Sequence, residues 1–185
     1  MKILLLLLIS FNLSATEIKF TSADYDQALE NKSTIIFDME STKAGFITSG
    51  FKGVAKSFSV DFKRVGDTFK DVKITIPVSA MDTDIDARNE KMYEECFDFK
   101  NNQNIIVKFK SAYLLGFNGI QKGSILIRGK WFDIDLKIDS KMVGGVTLIN
   151  GSSSLSIKDL EIPDPSIWIA SVRDLIELTF KIEIK

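Results

Sequence analysis

The residues best able to do chemistry lie in one charged segment near the middle of the chain. Asp82, Asp84 and Asp86 alternate with other residues there, a spacing that resembles the start of a calcium-binding loop. An EF-hand loop also requires a glycine at its sixth position and a glutamate at its twelfth. Ala87 and Tyr93 occupy those positions, so we expect no calcium binding and predict no metal site.

Catalytic chemistry has little support in the residue types. The 185 residues include no histidine, which excludes Ser-His and Cys-His nucleophile systems and histidine-based zinc sites. Glu94 and Glu95 are a conceivable carboxylate pair, but neighbouring residues on a helix point in different directions. We therefore expect no catalytic residues, no cofactor and no enzymatic activity.

The single cysteine, Cys96, cannot form a disulfide within the chain. In an oxidising compartment it would remain a free thiol or form an intermolecular bond. Because a lone cysteine is most often a small buried hydrophobic residue, we predict that Cys96 packs in the core.

Most of the remaining chain alternates apolar and polar residues, as a strand with one buried face does. Turn signals such as Asn118-Gly119 and Asn150-Gly151 separate these runs at hairpin spacing. We count about ten strand-like runs between residues 34 and 185, which must close into an antiparallel barrel or stack as a sandwich. The alternation is clearest at 72–78, 132–138 and 176–184.

Two short segments break this alternation and predict helices. In residues 21–32, Asp24 is a suitable N-cap and Gln27 follows it at capping-box spacing. In residues 84–96, apolar residues recur near one helical face, and Asp84 or Asp86 is a suitable N-cap. The second helix interrupts the strands at a point from which it can close one end of a barrel.

The N-terminal segment predicts a secretory signal peptide. Lys2 precedes a long apolar run, and Ala15 ends the segment with a small residue suited to cleavage. The run is too short to span a bilayer, and the alternative is a buried core segment. We therefore expect a signal peptide over residues 1–15 and one secreted domain over residues 16–185, which is long enough to bury a single core.

The overall charge gives no reason to expect a nucleic-acid partner. The 24 lysines and arginines nearly cancel the 25 aspartates and glutamates. Proteins that bind nucleic acid usually present a strongly basic surface, so we predict that this chain does not bind it.

The charged segment and the strand after it resemble a motif of the YceI-like family of secreted lipocalin-like proteins. The family pattern has D-T near a strand end, an R-D pair, a hydrophobic residue, F-F-D and a strand that ends in F-x-S. The corresponding residues here are Asp82-Thr83, Arg88-Asn89, Met92, Phe97-Asp98 and the run from Ile105 through Phe109 to Ser111. Weaker matches extend the likeness over residues 34–185, at Phe37-Asp38, Val54, Phe58, Gly129 and Val172-Arg173-Asp174, with departures at Glu40, Lys56 and Asn89.

The resemblance implies an all-β fold, an antiparallel lipocalin-like β-barrel of about eight strands with one or two short helices. Family members are known as binders of isoprenoid-type or other amphiphilic lipids in the bacterial periplasm. The resemblance therefore implies a periplasmic or secreted binding protein whose partner is a polyisoprenoid or a fatty acid derivative. Many relatives are dimers, so the resemblance also allows a homodimer, which the strand pattern does not decide.

The inward faces of such a barrel either fill its interior or line a space for one slender ligand. The resemblance favours an open tunnel around a lipid. The alternative is a non-enzymatic structural or interaction domain of the cell envelope with a filled core. The residues predicted to line the tunnel are Phe46, Phe58, Val60, Ile74, Ile76, Val107, Phe109, Phe132, Ile134 and Leu136.

Arg88, Lys91 and Thr83 are predicted at the mouth of the tunnel. The guanidinium of Arg88 presents a fork of donors that suits a phosphate, carboxylate or amide headgroup, and Lys91 is a weaker candidate. The alternative is that Arg88 forms an ion pair with one of the three aspartates before it and fixes the helix against the barrel.

Overall fold

A computed structural model describes residues 15–166 and 170–185 of the chain. Except for Ala15, the predicted signal peptide lies outside these residues, so the peptide and its cleavage site stay predictions. Within the described ranges, no helix is both long and apolar enough to cross a membrane.

The described residues form thirteen strands and two short α-helices. The strands are β1 (Ala15–Thr21), β2 (Thr34–Lys43), β3 (Ile47–Ala55), β4 (Ser57–Val65), β5 (Thr68–Pro77), β6 (Met81–Asp82), β7 (Asn104–Phe109), β8 (Tyr113–Leu114), β9 (Asn118–Ile127), β10 (Lys130–Val143), β11 (Val146–Leu155), β12 (Ala170–Val172) and β13 (Ile176–Ile184). The helices are α1 (Tyr25–Glu30) and α2 (Asp86–Lys91).

All thirteen strands belong to one curled antiparallel sheet, in the order β1-β4-β5-β7-β9-β10-β11-β13-β2-β3-β6, with β8 beside β5 and β12 beside β2. β3 pairs with β2 near one end of this order, and β4 pairs with β5 near the other. Only Lys56 separates β3 from β4, and its N–H donates to the carbonyl of Ala80 at 2.8 Å. The chain therefore passes from one end of the sheet to the other at Lys56. The predicted antiparallel fold is confirmed, and its sheet curls into a half-barrel.

The strands that the sequence did not predict are short or weakly patterned. β6, β8 and β12 have two or three residues each, which is too few to show alternation. β1 precedes the segment 21–32 in which a helix was predicted, and no strand was predicted for its residues. It pairs with β4, with Ile18 opposite Val60 and Phe20 opposite Phe58, and these apolar pairs attach it to the barrel.

The two helices begin in different ways. At α1 the carboxylate of Asp24 accepts a hydrogen bond from the N–H of Gln27 at 2.9 Å, which confirms the predicted cap. At α2 the prediction of an aspartate cap was wrong, because Ile85 is the N-cap and no side chain caps the helix. Asp84 has a positive φ of 63°, and its N–H donates to the carboxylate of Asp82 at 2.9 Å.

One end of the barrel interior is filled by aromatic and aliphatic side chains. Phe69 is 1% exposed, and its ring stacks on Tyr113 with centroids 5.3 Å apart and lies 5.4 Å from Phe62. This end matches the alternative of a filled core, whereas the opposite end does not.

Candidate functional site

The other end of the barrel contains a cavity of about 620 Å³. Its wall consists of inward side chains from most of the long strands, from the segment around α2 and from the loop after β11. Small-molecule sites usually have volumes of roughly 300–1,000 Å³ and mostly apolar walls with a few polar groups. The cavity therefore has the size and the lining to hold an apolar molecule inside the barrel.

Four of the residues predicted to line the tunnel belong to this wall. Ile74 and Ile76 extend from β5, Val107 from β7 and Leu136 from β10, and all four are buried. Ile74 lies directly opposite Val107 in the β5–β7 pair, so their side chains share one face of the sheet. Their role in binding remains a prediction.

Five further residues from that prediction are at least half-buried but lie outside the cavity wall. Three of them belong to the buried core, and the other two pack against it. They are Phe58, Val60 and Ile134 in the first group and Phe109 and Phe132 in the second.

Phe46 is not part of the wall either, and its position differs most from the expected one. It lies in the turn between β2 and β3 and is 77% exposed. Ala44 and Gly45 both have positive φ angles, 48° and 79°, so the turn is tight, and the N–H of Phe46 donates to the carbonyl of Lys43 at 3.2 Å. The tight turn removes Phe46 from the alternation of either strand and leaves it in solvent.

The loop after β11 forms part of the wall, which the sequence did not predict. Ile157 and Leu160 are buried there and line the cavity. The carboxylate of Asp174 accepts hydrogen bonds from the N–H of Lys158 at 2.9 Å and the hydroxyl of Ser156 at 3.0 Å, and these bonds hold the pKa of Asp174 below its ordinary value. The sequence signal that could have predicted this part of the wall is the presence of apolar residues, such as Ile157 and Leu160, in a loop that otherwise consists largely of turn-forming residues.

Two phenylalanines of the wall lie over glycines of a neighbouring strand. Phe37 on β2 is directly opposite Gly53 on β3, and Phe180 on β13 is opposite Gly151 on β11. A Cβ atom added to either glycine would lie 2.0 Å from the facing ring. Because the glycines have no side chains, each ring can occupy space above the neighbouring strand instead of projecting into the cavity.

Gly53→Ala is therefore expected to weaken the binding of an apolar fluorescent dye by about tenfold, since the displaced Phe37 ring would fill the volume of one or two methylene groups in the cavity. Dye titration of the purified variants measures this loss. Gly50→Ala is the matched control, because it lies on the same strand and its added Cβ would meet only the carbonyl of Met39, at 3.8 Å. Equal affinities for the two variants would contradict the role assigned to Gly53.

After α2 the chain widens into a π turn, Met92–Cys96, a feature that is frequent at functional sites. The N–H of Phe97 donates to the carbonyl of Met92 at 3.0 Å. Met92, Cys96 and Phe97 line the cavity, whereas Glu94 and Glu95 are exposed. The turn thus directs only apolar groups and the thiol inward, and the two glutamates form no carboxylate pair in the cavity.

Cys96 offers a natural reporter for the cavity, because it is the sole cysteine and is buried in the wall. Burial raises the pKa of its thiol to about 11, and the nearby Glu95 carboxylate adds to the effect. Since the thiolate is the reactive form, we expect slow labelling by a maleimide that speeds up about tenfold per pH unit between pH 7 and pH 10. A ligand in the cavity should block the reaction. Fast labelling at pH 7 that no ligand changes would contradict this placement.

Arg88 lies in the cavity wall and is fixed by Thr83 and Phe51. Its Nε donates to the hydroxyl of Thr83 at 3.1 Å and its Nη2 to the carbonyl of the same residue at 3.1 Å. The guanidinium also lies over the ring of Phe51, 4.3 Å from the centroid. Burial lowers the pKa of Arg88, but an arginine whose ordinary pKa exceeds about 12 remains a cation at neutral pH.

The alternative prediction, an ion pair between Arg88 and a preceding aspartate, was wrong for the described residues. Asp82 instead accepts Lys56 Nζ at 2.9 Å and the side-chain amide of Asn89 at 2.9 Å. Burial opposes the ionisation of Asp82, but these hydrogen bonds hold its pKa below the ordinary value. Asn89 also accepts from the N–H and hydroxyl of Thr83, at 2.8 and 2.7 Å. The network fixes Thr83, and Arg88 forms no salt bridge with a described carboxylate, although the charge of Asp84 acts to raise its pKa.

Lys91 also belongs to the wall. Its Nζ donates to the carbonyl of Ser166 at 3.3 Å and lies 3.3 Å from a carboxylate oxygen of Glu95. The three residues predicted at the mouth, Thr83, Arg88 and Lys91, are therefore brought together beside one cavity. Within the described ranges, no cluster of residues is suited to hold a metal ion.

A family model described as the YceI-like domain matches residues 11–184. The chain belongs to the YceI-like family. Among curated proteins, no match to this YceI-like chain is found.

Solved structures share the YceI-like fold with this chain. BcnA of Burkholderia cenocepacia is 17% identical, with a TM-score of 0.66 over 83% of this chain and 97% of that chain. A polyisoprenoid binding domain from Saccharophagus degradans, implicated in plant cell wall breakdown, is 11% identical, with a TM-score of 0.59 over 82% and 95%. The YceI protein of Campylobacter jejuni is 20% identical, with a TM-score of 0.58 over 74% and 85%. At these identities the likeness shows the fold alone.

Proposed function

We propose that this YceI-like chain is a periplasmic binding or carrier protein that holds one amphiphilic lipid, isoprenoid or fatty-acid-derived, inside the barrel. The observation that carries the proposal is the cavity of about 620 Å³, whose wall is apolar except for a few polar groups on β2 and around α2. The similar fold from Saccharophagus degradans is described as a polyisoprenoid binding domain, which supports an isoprenoid as one candidate ligand.

The cavity volume limits the size of the tail that fits inside. One water molecule takes about 30 Å³ of liquid volume, and a methylene group is of similar size, so the cavity has room for roughly twenty heavy atoms. Burial of roughly a dozen methylenes contributes on the order of 10 kcal/mol before costs, at ~0.8 kcal/mol each. Ordering and association remove much of this, which leaves an affinity in the micromolar range or tighter.

Organic extraction of the purified protein, followed by mass spectrometry, tests the proposal. We expect about one long-chain lipid per protein molecule, and we expect the delipidated protein to gain thermal stability when a prenyl or fatty amphiphile is added, since a ligand stabilises the state that binds it. An unrelated exported protein purified in parallel controls for carry-over. A clean extract together with no thermal shift would favour an interaction domain that needs no ligand.

We also propose that the protein is exported, on the basis of the N-terminal segment with its apolar run and Ala15. Cell fractionation followed by N-terminal sequencing of the mature protein tests this location. A mature chain that begins at Thr16 in the periplasmic or secreted fraction is the expected result, and a chain that keeps residues 1–15 in the cytoplasm would contradict it.

A further inference from the structure

All charged residues of the cavity wall in the described part of the chain are cations. They are Lys43, Arg88 and Lys91. No acidic residue of the charged segment around α2 belongs to the wall. Asp82, for example, binds Lys56 instead. A chain whose total charge is close to neutral therefore presents only one sign of charge to its cavity.

Arg88 is the cation best prepared to bind a ligand. Thr83, which is 2% exposed, accepts hydrogen bonds from Nε and Nη2, and Phe51 supports the face of the guanidinium. The described residues provide no acceptor for Nη1. Because the side chain is already held in place, a ligand that uses the remaining donors loses little of the side-chain freedom that binding normally costs.

The two lysines lie on either side of the short strand β12. Lys91 bonds to the carbonyl of Ser166, and the hydroxyl of Ser166 accepts the N–H of Val172. Lys43 pairs with Ala170 at the other end of β12. Lys91 is partly neutralised by Glu95 at 3.3 Å, whereas Lys43 forms no ion pair with any described residue. The two lysines therefore place positive charge at the edge of the cavity, beside β12.

We propose that the lipid held in the cavity carries an anionic headgroup, a phosphate or a carboxylate, which Arg88 binds directly and the charges of Lys43 and Lys91 attract. This inference rests on the proposed function, because it concerns the headgroup of the same ligand. Arg88 is partly buried and forms no salt bridge with a described residue, although the charge of Asp84 acts on it. An anion that pairs directly with Arg88 offsets the cost of its burial. A lipid with the same tail and a neutral headgroup lacks this gain in binding free energy, and the three cations repel an ammonium headgroup.

The test compares ligands that share a tail and differ only in the headgroup. Hexadecanoic acid, hexadecanol and hexadecylamine form one series, and farnesyl phosphate and farnesol form a second that separates phosphate from carboxylate. We expect each anion to bind at least about tenfold more tightly than its alcohol, in line with hydrogen bonds to charged groups, and the amine to bind most weakly. Displacement of a fluorescent probe below the micelle concentration measures the affinities.

Arg88→Gln should reduce the advantage of the anions to about twofold or less while the alcohols keep their affinity. Arg173→Gln is the control, since it removes the same charge from an exposed residue that pairs with Glu40 outside the cavity wall. If Arg88→Gln does not fold, the headgroup series on the unmodified protein decides alone. Alcohols that bind as tightly as the anions would overturn the inference and leave the lipid-binding proposal intact, whereas no binding of any compound would overturn both.

Discussion

Leu178→Trp is expected to weaken lipid binding by roughly a hundredfold while the barrel stays folded. Leu178 lies on β13 opposite Phe37, is half-buried and belongs to the cavity wall. An indole at this position would extend into the cavity and displace about four methylene groups of a bound tail. At ~0.8 kcal/mol per methylene this removes about 3 kcal/mol of binding free energy, or roughly two factors of ten.

Probe displacement measures the affinity of this variant, and thermal unfolding shows whether it folds. Ile120→Trp is the matched control, because Ile120 lies on β9 with 57% of its surface exposed and takes no part in the wall. We expect the control to bind like the unmodified protein. Equal affinities for Leu178→Trp and Ile120→Trp would mean that the tail does not occupy the cavity.

Phe69→Ala is expected to lower the free energy of unfolding by about 3–5 kcal/mol, the usual cost of removing a buried aromatic ring from a tightly packed core. Phe69 is 1% exposed and is surrounded by Phe62, Tyr113 and the guanidinium of Arg64. Equilibrium unfolding in urea gives the value. The lipid should bind the folded fraction of this variant normally, because Phe69 lies outside the cavity wall.

Phe180→Ala provides the comparison for this prediction. Phe180 is also buried, at 4% exposure, but one side of its ring faces the cavity. A side chain beside a void has fewer contacting atoms to lose, so we expect a cost of about 2 kcal/mol without ligand. If the two substitutions cost the same, the distinction between a filled end and an open end of the barrel would not hold.

These two ends have different physical tasks. The filled end packs aromatic rings from β4, β5 and β8 against one another, and this packing stabilises the fold without help from a ligand. The open end gives up such contacts around its cavity. A bound lipid tail would restore them, so the proposed ligand would act as the missing part of the core.

Much of the fold was predictable because its signals are local. Alternation over 72–78, 132–138 and 176–184 predicted three of the strands observed in the sheet, and the spacing of Asp24 and Gln27 predicted the cap of α1. The charged segment resembled the family motif, and the family model confirms that membership. The alternation and the cap each depend on residues a few positions apart, where backbone geometry alone decides which side chains share a face.

The cavity could be predicted only in part, because a period of two gives the face of a strand but not the depth of a residue along the barrel. Val72, Ile74 and Ile76 follow one another on the same inward face of β5, yet only the two isoleucines reach the cavity wall.

The sequence by itself therefore determined a β-barrel with an apolar interior and a family membership. Tertiary structure decided where that interior is open. It also decided that Gly53 accommodates the ring of Phe37 and that Arg88 binds Thr83 instead of an aspartate. The physical reason is that open space, ring placement and ion pairing depend on which distant strands and loops come to face one another, and only the curled sheet brings these groups together.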